Sequence, residues 1–126
     1  RVAVQRDPPG TTETMVRSVA EARRAHREGQ LSELITANQG FHQALVARSG
    51  NPVLAAMYHT LQGYIGLMMS VSLSWPRRPV ETIREHGEII QALKSGNPDA
   101  AEKAIRQHVR NAYEGVLRNV KQYLSR

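Results

Sequence analysis

Asn38, His42, His86 and His108 interrupt the helical apolar stripes of this chain with side chains that can ligate a metal. At helical pitch Leu31, Leu34, Ile35, Asn38, His42 and Leu45 project to one side, so Asn38 and His42 are neighbours one turn apart on an inward face. A second stripe of Ile83, His86, Ile90 and Leu93 carries His86 near its centre, and a third of Ala101, Ile105, Ala112, Val116 and Val120 carries His108 on its edge. Burying one polar group without a partner costs about 1–3 kcal/mol. Four on converging faces therefore have to satisfy one another or share an ion. Imidazole nitrogen with an amide oxygen suits zinc first, with nickel, cobalt and manganese as alternatives, and the chain has no cysteine to favour copper(I) or an iron–sulfur cluster.

Two other readings use the same residues. Inward histidines also occur as neutral, hydrogen-bonded core groups, which would make the chain a structural or dimerisation bundle without a ligand. A metal-dependent hydrolase would need a general base beside an open coordination position, and Glu85 or Glu88, flanking His86, is the only local suggestion. Both glutamates read as helix-surface charges, so no enzymatic role is expected. His59 falls off the stripe of Leu54, Tyr58, Leu61, Ile65 and Met68, and His26 sits beside a helix end at Arg27-Glu28-Gly29; both read as surface residues.

The elements that position the quartet are helices with legible ends. Arg6-Asp7-Pro8-Pro9-Gly10 is a breaker-rich link, after which Thr11 or Thr12 would cap a helix running to about Glu28. Gly29-Gln30 breaks it, and Ser32 is a candidate cap for the next helix. Ser49-Gly50-Asn51-Pro52 closes that helix and opens another, with Asn51 capping and Pro52 at the first helical position. Trp75-Pro76-Arg77-Arg78-Pro79 is the next break, and Ser95-Gly96-Asn97-Pro98 repeats the same grammar before the last helix. No strand alternation and no internal repeat is visible, so the expected class is all-α.

A chain of 126 residues fits one domain, and with 40% hydrophobic content, one Phe and one Trp its core must be aliphatic and alanine-rich. The absence of cysteine fits a reducing cytoplasm. Arg1 opens the sequence, so a longer parent is expected. The net charge of +6 is spread over arginines and lysines rather than gathered in a tract, and no groove-reading element or stacking aromatic accompanies them, which argues against direct nucleic-acid binding by this segment. Val53 to Trp75 carries no formal charge, yet His59, Thr60, Gln62, Ser70, Ser72 and Ser74 punctuate it; the expectation is a long helix buried in a bundle or dimer, not a membrane span.

The run Asn38-Gln39-Gly40-Phe41-His42-Gln43-Ala44-Leu45, then Ser49-Gly50-Asn51-Pro52-Val53-Leu54, Glu85-His86-Gly87-Glu88-Ile89-Ile90-Gln91-Ala92-Leu93, and Gly96-Asn97-Pro98-Asp99-Ala100-Ala101 leading to His108, resembles the FadR C-terminal (FCD) domain. That domain is the effector-binding half of many GntR-family bacterial transcription regulators. The resemblance runs from about Thr11 to Leu124 and implies an antiparallel bundle of about six helices, the first truncated here: residues 1–10 would be the tail of that helix and a linker, and 11–126 the effector-binding domain.

The resemblance further implies a small carboxylate-type effector, held in many members over a divalent metal by an Asp-x3-His pair and two later histidines and in some members bound without metal. His42, His86 and His108 match three of those ligands, and Asn38 stands where the aspartate is usual. An amide oxygen can ligate but brings no charge, so metal affinity should fall. Asn111, three residues past His108, and Tyr64 on the long helix are candidate effector contacts. The family's effector-gripping arginine belongs to the truncated helix, and no arginine here is assigned that role. A homodimer and a preceding winged helix-turn-helix domain, which would carry DNA binding in the parent, complete the expectation.

Overall fold

A computed structural model describes residues 10–125. Within that span the chain forms α1 (Thr11–Arg27), α2 (Leu31–Arg48), α3 (Pro52–Leu73), α4 (Arg78–Ser95) and α5 (Pro98–Leu124), with no strand. The truncated first helix expected from the sequence lies outside the described residues.

The capping grammar works as read at two of the four junctions. Asn51 Oδ1 accepts from the Val53 and Leu54 amides at 3.0 and 3.1 Å, and Asn97 Oδ1 accepts from those of Asp99 and Ala100 at 3.0 and 3.1 Å. Each such cap contributes about 1 kcal/mol. Gly96, at φ 73°, closes α4 in the left-handed region that favours glycine. The threonine and serine caps are corrected. Gly10 takes the N-cap of α1, so Thr11 and Thr12 fall inside the helix, while Gln30 precedes α2 without a side-chain cap and Ser32 lies in its first turn.

α1 and α2 share the most extensive interface, and α4 packs on both α1 and α5. The core joins Met15, Val19, Ala22 and Ala25 of α1 to Leu34, Ala37, Phe41 and Ala44 of α2 and Ile83, Ile89, Ile90 and Leu93 of α4, with Ala101 from α5. Alanines and Gly40 let the first two helices approach closely: a Cβ at Gly40 would stand 3.2 Å from Ser18 Oγ. The α2 stripe is rotated from its expected position. Leu31 is exposed while Phe41 and Arg48 are buried, because α2 is pressed mainly against α1.

The uncharged helix α3 is little covered within one chain. Within the chain it buries only Ser72 and Leu73 and leaves Met57, Leu61 and Leu67 largely in the open, because it flanks α2 and α5 and is not enclosed by them. No helix among the described residues is long and apolar enough to cross a membrane. What α3 does provide is one wall of a cavity whose opposite side is formed by α2, α4 and α5.

Candidate metal centre

His42 comes from α2, His86 from α4 and His108 from α5, and a ring nitrogen from each lies within 4.8 Å of the others. His86 Nε2 is 3.2 Å from His108 Nε2, which is 3.4 Å from His42 Nε2. Nitrogens at about 2.0–2.1 Å from a tetrahedral zinc stand about 3.3 Å apart. The observed spacing therefore fits a shared ion. His86 and His108 are buried, and His42 is half-buried at the cavity side. Phe41, fully buried beside His42, stacks on the His86 ring with centroids 3.8 Å apart and planes 4° from parallel, which fixes the plane of that imidazole.

Behind His108 stands Glu85, whose Oε1 is 2.8 Å from His108 Nδ1. A carboxylate there takes the proton on Nδ1, so the Nε2 lone pair of His108 is turned toward the other two rings. Glu85 is itself fixed: Arg78 Nη1 and Nη2 donate to its two oxygens at 2.8 Å each, and Asn111 Nδ2 donates to Oε2 at 3.0 Å. Arg78 is 1% exposed and Glu85 5%, so this is a buried bidentate ion pair. Glu85 is thus not the surface charge expected from the sequence. α4 packs on two helices at once, and that broad contact takes Glu85 inward along with His86. Glu88 is exposed and paired with Arg84 at 2.7 Å, as a surface charge should be.

The electrostatics favour neutral His42 and His86 and an ionised Glu85. Burial, followed by the proximity of His108, holds His42 down to about 3. Burial, then His42, His108 and Arg78, holds His86 well below the ordinary imidazole range. Burial pushes Glu85 upward, but the bonds from His108, Arg78 and Asn111 together outweigh it and hold the carboxyl below its usual range. Neutral His42 and His86 have no proton to displace before binding a cation at neutral pH. A carboxylate so committed is a poor general base, and Glu88 is exposed and paired with Arg84.

Asn38 is 2% exposed, and neither its Oδ1 nor its Nδ2 has a hydrogen-bond partner among the described residues. It lines the same cavity as His42 and His108. A buried amide left unpaired beside three converging imidazoles fits a fourth oxygen ligand. The cavity measures about 510 Å³, and Tyr64 lies on its wall while remaining 72% exposed. Asn111 is not on that wall: its amide donates to Glu85, and its carbonyl accepts from Gln107 Nε2 at 2.8 Å. A surface cleft of equal volume between Ser70 and the end of α5 holds none of the buried ionisable groups. His26 and His59 are exposed, as read from the sequence.

Arg78 and Phe41 went unassigned in the sequence. The spacing of Arg78 to Glu85, two helical turns on one face, was the available signal. The adjoining Pro76, Arg77 and Pro79 made Arg78 read as part of a break instead.

The chain matches the FCD domain family over residues 1–111 and belongs to it. It is therefore an effector-binding regulatory domain of the GntR type. No curated protein matches the chain.

Two outcomes follow from this geometry. Glu85→Gln leaves the buried Arg78 only the more distant, partly exposed Glu81 at 3.6 Å as counter-charge and should cost about 3–5 kcal/mol of stability in denaturant melts; it should also weaken any zinc binding about 10–100-fold by titration calorimetry, through the loosened His108. In the metal-free protein His42 and His86 bind fewer protons folded than unfolded. Stability should then rise with pH in that window. The melting midpoint is expected to be highest above the unfolded histidine value of about 6.5 and to fall steadily as pH drops from there toward 3, whereas a midpoint flat between pH 7 and 5 would contradict the neutral assignment.

Proposed function

We propose that this chain is the ligand-sensing C-terminal domain of a GntR-family transcription regulator, in which Asn38, His42, His86 and His108 hold a divalent transition metal and a small organic acid binds above it. The observation that carries the reading is the meeting of three imidazole nitrogens, from three helices, at the side of a cavity of about 510 Å³. Zinc suits the donor set best, with nickel, cobalt or manganese as alternatives. When bound, the metal supplies a positive charge to which a carboxylate oxygen can coordinate in an open position.

The chain's own residues do the rest. Glu85, held by Arg78 and Asn111, keeps His108 oriented, and Phe41 keeps His86 in plane. α3 closes the far side of the cavity with Tyr58, Leu61, Tyr64 and Ile65, so an occupant touches α2, α3 and α5 together. Occupancy then favours one arrangement of those helices over others. In a homodimer, that arrangement would set the spacing of two winged helix-turn-helix domains carried N-terminal to this one, residues 1–10 serving as the connection. The reading places the parent protein in the cytoplasm, with DNA contacted through those domains alone.

Protein purified without a metal-affinity tag is expected to carry about one equivalent of metal by elemental analysis, and a chelator should lower its melting midpoint. A carboxylate effector at 100 times its Kd should then add about 2.7 kcal/mol of stability. Absence of metal together with indifference to chelator and added zinc would instead favour a bundle whose neutral histidines only hydrogen-bond to one another, as the 3.2 Å contact of His86 with His108 would allow.

A further inference from the structure

The cavity above the histidines is unequal in its chemistry, and that inequality restricts what it can hold. Its polar end is the metal centre with Asn38; Leu61, Ile65, Met68, Met69, Leu73 and Val116 make up much of the remaining wall. Arg78 carries the one formal charge among the described residues lining it; both its Nη atoms are already donated to Glu85, and only its buried Nε is unpaired. No lysine, aspartate or glutamate among them reaches the cavity. Tyr58, Tyr64, Ser72, Thr82 and Tyr113 place hydroxyls at intervals along the wall, and of these Tyr58 Oη is buried without a partner among the described residues.

A second carboxylate on the occupant would leave water and meet, among the described residues, only a guanidinium already paired with Glu85, and a chain of hydroxyls would lie mostly against hydrocarbon. Hydrocarbon, by contrast, would cover the wall and shield it from water, and Met68 and Met69 can adapt to its shape. The volume also exceeds what acetate would fill. We infer that the effector is a monocarboxylate with a predominantly hydrocarbon body, aliphatic or aromatic, and that dicarboxylates and sugar acids are discriminated against. This rests on the carboxylate-sensor reading above and adds the substrate class to it.

Matched acids separate the two levels of the claim. With the zinc-loaded protein in titration calorimetry and thermal melts, hexanoate and 3-phenylpropionate should bind at least about tenfold more tightly than acetate, adipate or gluconate. Adipate or gluconate equalling hexanoate would overturn the inference while leaving the carboxylate sensor standing. Binding of none of the five would overturn both. Leu61→Glu alters a cavity residue that is 46% exposed, so the fold should tolerate it. It is expected to weaken hexanoate at least about tenfold, and by more than it weakens acetate. Undiminished hexanoate binding by that variant would place the hydrocarbon elsewhere and overturn the proposal.

Discussion

Glu85 is a carboxylate withdrawn from water, and the geometry of the histidine centre depends on what keeps it charged there. Arg78 grips both of its oxygens from two turns earlier on α4, Asn111 adds a third bond from α5, and His108 takes the remaining contact through Nδ1. Remove the guanidinium and the carboxyl would sooner take up a proton than stay ionised among apolar neighbours. Its hold on the Nδ1 proton of His108 would weaken with it. The ion pair is therefore best understood as an orienting device. Buried pairs commonly return little net stability, but this one decides which nitrogen of His108 faces the cavity.

The same centre compensates for something the packing leaves undone. α2 lies chiefly against α1 and α3, and α4 chiefly against α1 and α5, so α2 does not run closely alongside either of the helices that carry His86 and His108. The imidazoles cross that gap. A cation shared among them would brace three helices at one point, and an occupant of the cavity would extend the brace to α3. α3 is the helix least held by the rest of the chain, burying only Ser72 and Leu73. A sensor needs such an element: one whose position depends on whether the cavity is filled.

Much of this was legible from residue type and spacing. Histidines on apolar stripes have few uses, so His42, His86 and His108 stood out, and the Asn-Pro junctions at Asn51 and Asn97 fixed two helix starts. Glu85 was misread because periodicity marks the centre of a buried face but not its width; contact of α4 with two helices widened that face by one residue. Arg78 was hidden by the prolines around it, although helix α4 begins at that residue. Thr11 and Thr12 lost the cap to Gly10, whose left-handed backbone starts the helix one residue earlier. The uncharged run in α3 reads as a helix buried in a bundle or dimer, and one chain alone covers little of it, because composition reports apolarity and not which neighbours cover it.

X-ray absorption at the zinc edge of the loaded protein tests the central claim most directly, because it counts imidazole ligands without reference to the effector. The account predicts three histidine nitrogens and at least one oxygen at about 2.0–2.1 Å, with one imidazole lost in His86→Ala. A zinc environment with no more than one imidazole, unchanged by that substitution, would contradict it.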